Sequence, residues 1–240
     1  MDKPLPLLPS DAPPGAISHP MAENASASSG VPEALPTEHD LDQAFKIPIL
    51  DSYGKEQLFG DLFDNLRAQE KSRVMVIFVR HFFCGSCQDY IQTLSSSIPP
   101  PSSLPSNTSL VIIGCGATSL IPMYAKETSC PFQIYTDPSS RLYSIFGMTR
   151  TWSLGPVPEY LRHSTFALVV KGISQGLRRT FNGDALKSGD MAQVGGEFFF
   201  EIKPKSQENG RDIIVTWGHR MKTTRDHTEV PELKRIMGLD

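Results

Sequence analysis

The chain has 240 residues, 39% of them hydrophobic and 20% charged, with a net charge of −3 at pH 7. That length fits one domain with appendages at roughly 100–200 residues per domain, and the hydrophobic fraction is that of a soluble protein. No run approaches the roughly 18 consecutive apolar residues of a membrane-spanning helix, and no basic stripe offers a surface for nucleic-acid phosphates, so neither a membrane nor a nucleic acid is expected as a partner.

Residues 1–38 are dense in Pro, Ala, Ser and Gly and carry five acidic residues against one lysine. Such a segment has too little apolar surface to offset its ordering entropy, and it reads as a disordered tail. The tail carries a charge of −4, leaving +1 for a domain over residues 39–240. Met1-Asp2-Lys3-Pro4-Leu5-Pro6 lacks the basic start and apolar run of a secretory signal, so a cytoplasmic protein is expected.

Phe45–Leu50 alternates in the manner of a strand, and Asp51-Ser52-Tyr53-Gly54 is turn chemistry, which together predict an edge strand or hairpin. Leu58, Leu62, Phe63 and Leu66 fall at helical intervals. Val74–Val79 is a continuous β-branched run of the kind covered on both faces of a sheet, so it should be the central strand. A helix over Gly85–Ser97 follows, ending before Pro99-Pro100-Pro101. Leu110–Ile113 and Phe132–Tyr135 are further buried strands, separated by a helix over Ser119–Glu127. Asp137 reads as the N-cap of another helix, with Pro138 at its first position and Leu142, Ile145 and Phe146 inward. Phe166, Val169, Val170, Ile173 and Leu177 form a helical stripe inside a segment, 148–194, that reads as a helical insertion. Glu197–Ile202 and Ile213–Trp217 should form an antiparallel hairpin, and a helix from Pro231 to Met237 closes the domain. Strands alternating with helices imply right-handed crossovers and a mixed, largely parallel α/β sheet flanked by helices.

Four cysteines, at 84, 87, 115 and 130, are too few for a secreted disulfide framework. Cys84-Gly85-Ser86-Cys87 lies where the central strand meets a helix. Unpaired backbone N–H groups there favour a thiolate at Cys84, and Cys87 is one turn along the same face. This arrangement suits a nucleophile and its resolving partner, against the blander reading of two buried helix-start cysteines. A metal is not expected, because no second C-x-x-C or H-x-x-x-H completes a tetrahedral set. Arg80 or His81 beside Cys84 would favour its thiolate, and strand alternation makes Arg80 the better placed. Cys115, after the neighbouring strand, is an alternative resolving residue, though packing is its commoner role. Cys130 is assigned no role. Gly114-Cys115-Gly116 begins like a dinucleotide fingerprint, but Ser119 stands where its third glycine belongs, and no cofactor is expected. His219, Asp226 and His227 read as surface or turn residues.

Phe78-Val79-Arg80-His81-Phe82-Phe83-Cys84-Gly85-Ser86-Cys87, then Cys130-Pro131-Phe132 with Tyr135-Thr136-Asp137-Pro138, and above all Gly189-Asp190-Met191-Ala192-Gln193-Val194-Gly195-Gly196 are the motifs that carry a family likeness. Over about residues 45–237 the chain resembles the peroxiredoxin-like 2 branch of the AhpC/TSA antioxidant superfamily. The resemblance implies a thioredoxin-like, three-layer fold with Cys84 as redox centre and an extra helical segment before the Gly-Asp…Gln…Gly-Gly loop. It also implies an antioxidant thiol oxidoreductase, reducing peroxide or a related oxidised substrate and restored by an external thiol reductant of thioredoxin or glutathione type. Two departures stand out. Ile77 and His81 occupy the proline and threonine positions of the P-x-x-x-T-x-x-C peroxide loop, and Gly195-Gly196-Glu197 stands where thioredoxins carry a cis-proline. Glycines there admit a close approach by substrate or by Cys84, or else serve a tight strand entry. The rival expectations are an endoperoxide or lipid-type reductase and a non-catalytic thioredoxin-fold adaptor.

Overall fold

The computed structural model describes residues 34–161, 187–203 and 212–239. Its first helix, α1 (Glu38–Ala44), is capped by Thr37, whose side chain accepts from the Asp40 backbone N–H while the Asp40 carboxylate accepts from that of Thr37. The helix lies across the boundary placed at residue 38. Phe45 is its C-cap, so the strand predicted over Phe45–Leu50 forms only at β1 (Pro48–Leu50). β1 and β2 (Glu56–Leu58) make an antiparallel hairpin across the Asp51–Gly54 turn, where Gly54 takes a φ of +78°. The elements that follow are α2 (Phe59–Ala68), β3 (Arg73–Phe78), α3 (Gly85–Ser97), β4 (Thr108–Gly114), α4 (Ile121–Thr128), β5 (Gln133–Thr136), α5 (Arg141–Ile145), β6 (Gly196–Ile202), β7 (Ile213–Arg220) and α6 (Val230–Met237).

The seven strands form one sheet in the order β2-β1-β5-β4-β3-β6-β7. β3, β4 and β5 are mutually parallel, and β6 joins β3 antiparallel, with β7 antiparallel beyond it. A sheet of this order with an antiparallel hairpin and a closing helix is the thioredoxin-like fold. Period-2 alternation divides β3 between the two faces: Met75 and Ile77 enter one cluster with residues of α3, α4 and α6, and Val74, Val76 and Phe78 enter another with residues of α1, α2 and α5. Both faces of β3 are therefore buried, which is why its sequence is apolar throughout.

Two further expectations change. The helix predicted to open at Asp137 starts at Arg141, because Ser140 takes a left-handed φ of 54°. Asp137 instead anchors the loop from behind, its carboxylate accepting from Ser139 N (3.0 Å) and Leu142 N (2.8 Å). β7 runs on to Arg220, three residues beyond Trp217, with a register shift at Phe199/Phe200 on β6. The described ends of the 148–194 segment contain an isolated Arg150–Gln193 bridge, and the Phe166–Leu177 stripe lies outside the described residues. Among the described residues no helix is long and apolar enough to cross a membrane.

Candidate functional site

β3 delivers the chain to the carboxyl end of the sheet, the edge at which open α/β folds build their sites. A short loop follows, and α3 begins at Gly85, so Cys84 is the N-cap residue itself. Its Sγ accepts from the backbone N–H of Cys87 at 3.4 Å, as a capping oxygen would, and Arg80 Nη1 donates to it at 3.3 Å. Both thiols are free; Cys84 is 5% exposed and Cys87 fully buried.

Arg80 reaches Cys84 by a route that strand alternation does not provide, since β3 ends at Phe78. The guanidinium is held by backbone carbonyls: Nη2 donates to Met191 O (2.6 Å), Nε to Gln193 O (3.1 Å) and Nη1 to Thr224 O (3.4 Å). The Gly189–Gly196 stretch thus clamps the cation that donates to Cys84 Sγ. Gln193 fixes that stretch in turn, donating to Thr149 O and Val194 O, and the Arg150–Asp190 ion pair ties it to the 148–161 segment.

These contacts drive the two thiols apart. A hydrogen bond from the Cys87 side chain, then the charge of Arg80, hold the Cys84 thiol well below its ordinary value in spite of burial. Burial, and then that same hydrogen bond, push Cys87 well above it. The contacts therefore favour the thiolate at Cys84 and the protonated form at Cys87. Burial also pushes His81 down, and its Nδ1 is buried with no hydrogen-bond partner.

The remaining sequence candidates sit elsewhere. Cys115 packs in the cluster on the other face of the sheet from Cys84 and Cys87, donates to Arg80 O (2.8 Å) and is pushed up to about 11 by burial. Cys130 is likewise pushed up to about 11, at the start of β5 and thus the opposite end of the sheet. A Cβ on Gly195 would lie 1.9 Å from Phe78 O, and one on Gly196 2.5 Å from His219 O. The glycine pair accordingly admits the backbones of β3 and β7 to β6, the tight strand entry. Gly114 makes room for the Phe82 ring, and Gly116 for that ring and the Ser188 carbonyl.

Sequence reasoning missed two residues of the site. His227, read as a surface or turn residue, is buried, with Nε2 3.4 Å from Cys87 Sγ. Its Nδ1 is in direct hydrogen-bond contact with Glu197 Oε1, and Glu197 is also fully buried. The ring stacks on Tyr90 of α3 with centroids 4.2 Å apart and planes 2° from parallel. One signal was present: Glu197 is a carboxylate opening the apolar run Glu197-Phe198-Phe199-Phe200, a position that needs a buried partner.

A thioredoxin-like sheet with a thiolate at a helix N-terminus and a buried thiol beside it defines a thiol-redox class of protein. Residues 93–223 match the AhpC/TSA antioxidant enzyme family, and the chain belongs to that family, in its peroxiredoxin-like 2 branch. The matched span begins within α3, after both Cys84 and Cys87. Peroxiredoxin-like 2C of Takifugu rubripes is 32% identical over 184 residues, 74% of each chain, and that of Bos taurus 28% identical over 198 residues, 81% of this chain and 78% of the other. Prostamide/prostaglandin F synthase of Xenopus tropicalis is 23% identical over 171 residues, 68% of this chain and 83% of the other. Among solved structures, peroxiredoxin Q of Xanthomonas campestris superposes with a TM-score of 0.46 at 10% identity, over 85% of this chain and 92% of that one.

Proposed function

We propose that this chain is an antioxidant thiol oxidoreductase of the cytoplasm in which Cys84 is the nucleophile and Cys87 resolves it. The observation that carries this reading is the Cys84 sulfur at the N-cap of α3, receiving hydrogen bonds from Arg80 Nη1 and the Cys87 backbone. The thiolate attacks a peroxide, the O–O bond breaks, an alcohol or water leaves, and Cys84 becomes a sulfenic acid. Cys87 then displaces the sulfenic oxygen as water and closes a disulfide, which an external thiol reductant of thioredoxin or glutathione type reopens. Mild hydrogen peroxide followed by peptide mapping should give a Cys84–Cys87 disulfide in the wild type, a trappable sulfenic acid at Cys84 in Cys87→Ser, and neither in Cys84→Ser. A dominant Cys84–Cys115 linkage would transfer the resolving role, and absence of Cys84 oxidation would leave the adaptor reading in its place.

A second reading, an apolar hydroperoxide or endoperoxide as substrate, is favoured by the loops that clamp Arg80. Met191, whose carbonyl binds the guanidinium, is 55% exposed, and Trp152, beside the Thr151 N–H that donates to Ala192 O, is 69% exposed. Exposed apolar side chains at a site rim suit an apolar ligand. The Cys84/Cys87 pair supplies the two electrons that turn an endoperoxide O–O bond into two hydroxyls, with one proton from Cys87 and the second from water. Comparing cumene hydroperoxide with hydrogen peroxide in wild type and Trp152→Ala distinguishes the readings: a preference for the organic substrate that Trp152→Ala abolishes supports the second.

A further inference from the structure

Cys87 is fully buried, and a thiol attacks only as its thiolate, so the closing step needs a proton acceptor inside the protein. One is in place. His227 Nε2 lies 3.4 Å from Cys87 Sγ, and its other ring nitrogen meets Glu197 Oε1. Glu197 Oε2 accepts from Thr228 Oγ1 at 3.1 Å, so both carboxylate oxygens act as acceptors. An acceptor on that side places the imidazole proton on Nδ1 and leaves the Nε2 lone pair directed at the Cys87 sulfur. Tyr90 holds the ring plane by stacking, and Tyr160 Oη accepts from the His227 backbone N–H at 3.3 Å.

We propose that His227, oriented by Glu197, is the general base that takes the proton of Cys87 when Cys87 closes on oxidised Cys84, and the acid that returns it when the disulfide opens. This rests on the redox reading of the Cys84/Cys87 pair. In the reduced protein the Cys87 sulfur lies 3.4 Å from His227 Nε2, and the charge on Cys84 helps to keep its proton in place. Oxidation of Cys84 by a hydroperoxide to the sulfenic acid removes that negative charge, and His227 becomes the acceptor that remains. The Cys87 proton passes to Nε2, the Cys87 sulfur attacks Cys84 Sγ, the S–O bond breaks, and the departing hydroxide takes the proton to leave as water. The transient imidazolium is balanced by Glu197 and lies against the Tyr90 ring face. The ionisable groups facing the imidazole are Cys87 and Tyr90 of α3, Tyr160 of the preceding segment and Glu197 of β6.

The alternative is a structural staple, with Glu197 and His227 pinning the 221–229 segment to β6. The two roles separate kinetically. After one equivalent of hydrogen peroxide, rapid acid quench and mass spectrometry give the rate of Cys84 oxidation and the rate of disulfide closure in the same sample. In Glu197→Gln and His227→Gln the ratio of closure to oxidation at pH 7 should fall about 100-fold, the lower end of what a positioned base contributes. It should climb with rising pH, as hydroxide replaces the missing base, whereas wild-type closure should be flat from pH 7 to 9. A staple lowers the melting temperature of these variants without moving the ratio. A ratio within twofold of wild type in the near-isosteric Glu197→Gln overturns the relay. If neither variant folds, the wild-type profile decides: closure that climbs with pH across pH 7 to 9 instead of staying flat overturns it as well. Failure of Cys84 to oxidise in the wild type is a distinct result, the loss of the first rate, and it removes the redox reading and the relay with it.

Discussion

At the scale of single residues, the chemistry turns on one sulfur and one guanidinium. Arg80 donates through all three of its nitrogens, two of them wholly to backbone carbonyls, so its charge is fixed beside Cys84 before any substrate arrives. Cys84 is depressed in the folded state, so the stability its thiolate contributes is complete only above the free-thiol value of about 8.5 and declines as pH falls from there through the lowered value. Arg80→Met should raise the pH midpoint of Cys84 alkylation by iodoacetamide, and at pH 6 the reaction should slow about tenfold for every pH unit by which that midpoint rises. Cys130, pushed up to about 11, is the slow internal standard, and an unmoved midpoint would show that Cys87 and the helix terminus set the thiolate without Arg80. The closeness of Cys84 and Cys87 was legible because their spacing spans one helical turn, whereas the alternation that pointed to Arg80 stops with β3 at Phe78. His227 was not legible, since its neighbourhood, Thr223 to Glu229, is polar and has the composition of a turn. Only the return of β7 and the segment after it carry His227 to α3, across a separation that no local pattern encodes.

At the scale of elements, long apolar runs predicted β3, β4 and β6 well, and α3 runs over the residues expected of it. Short elements escaped. α1 has only Leu41 and Ala44 buried among seven residues, too few to show a stripe, and α5 is a five-residue helix whose start is set by a left-handed Ser140 rather than by an N-cap side chain. Gly195 and Gly196 were legible as special positions, and what they serve is the approach of strands. Because a Cβ on Gly195 would meet backbone at Phe78 O rather than a flexible side chain, neither partner can yield without disturbing the β3–β6 ladder. Gly195→Ala should therefore destabilise by roughly 3 kcal/mol, the upper range for overpacking a tight core. Urea unfolding measures it, and a change under about 0.5 kcal/mol, the size of an ordinary surface substitution, would contradict the contact. The same strand pairing holds Glu197 next to Gly196, so this variant should also slow disulfide closure.

For the whole molecule, the question is where the folded unit begins. Composition placed its start at residue 39, on charge and Pro/Ser/Ala density alone. Three contacts lie before that point: Thr37 caps α1, the Ala34 carbonyl accepts from Arg220 Nη1 at 2.9 Å, and Leu35 lies beside Gly218. We expect a chain starting at residue 34 to melt with the full-length protein, because residues 1–33 have too little apolar surface to offset their ordering entropy. A chain starting at residue 39 loses the cap, at a cost of about 1 kcal/mol, and the Arg220 contact as well. For a domain of this size each kcal/mol corresponds to roughly 2–4 °C, so its midpoint should fall by at least that much. The two truncations, compared by calorimetry with the full chain, separate the possibilities. Equal midpoints for both would make the α1 cap energetically idle, and a lowered midpoint for the longer one would mean that residues 1–33 pack on the domain.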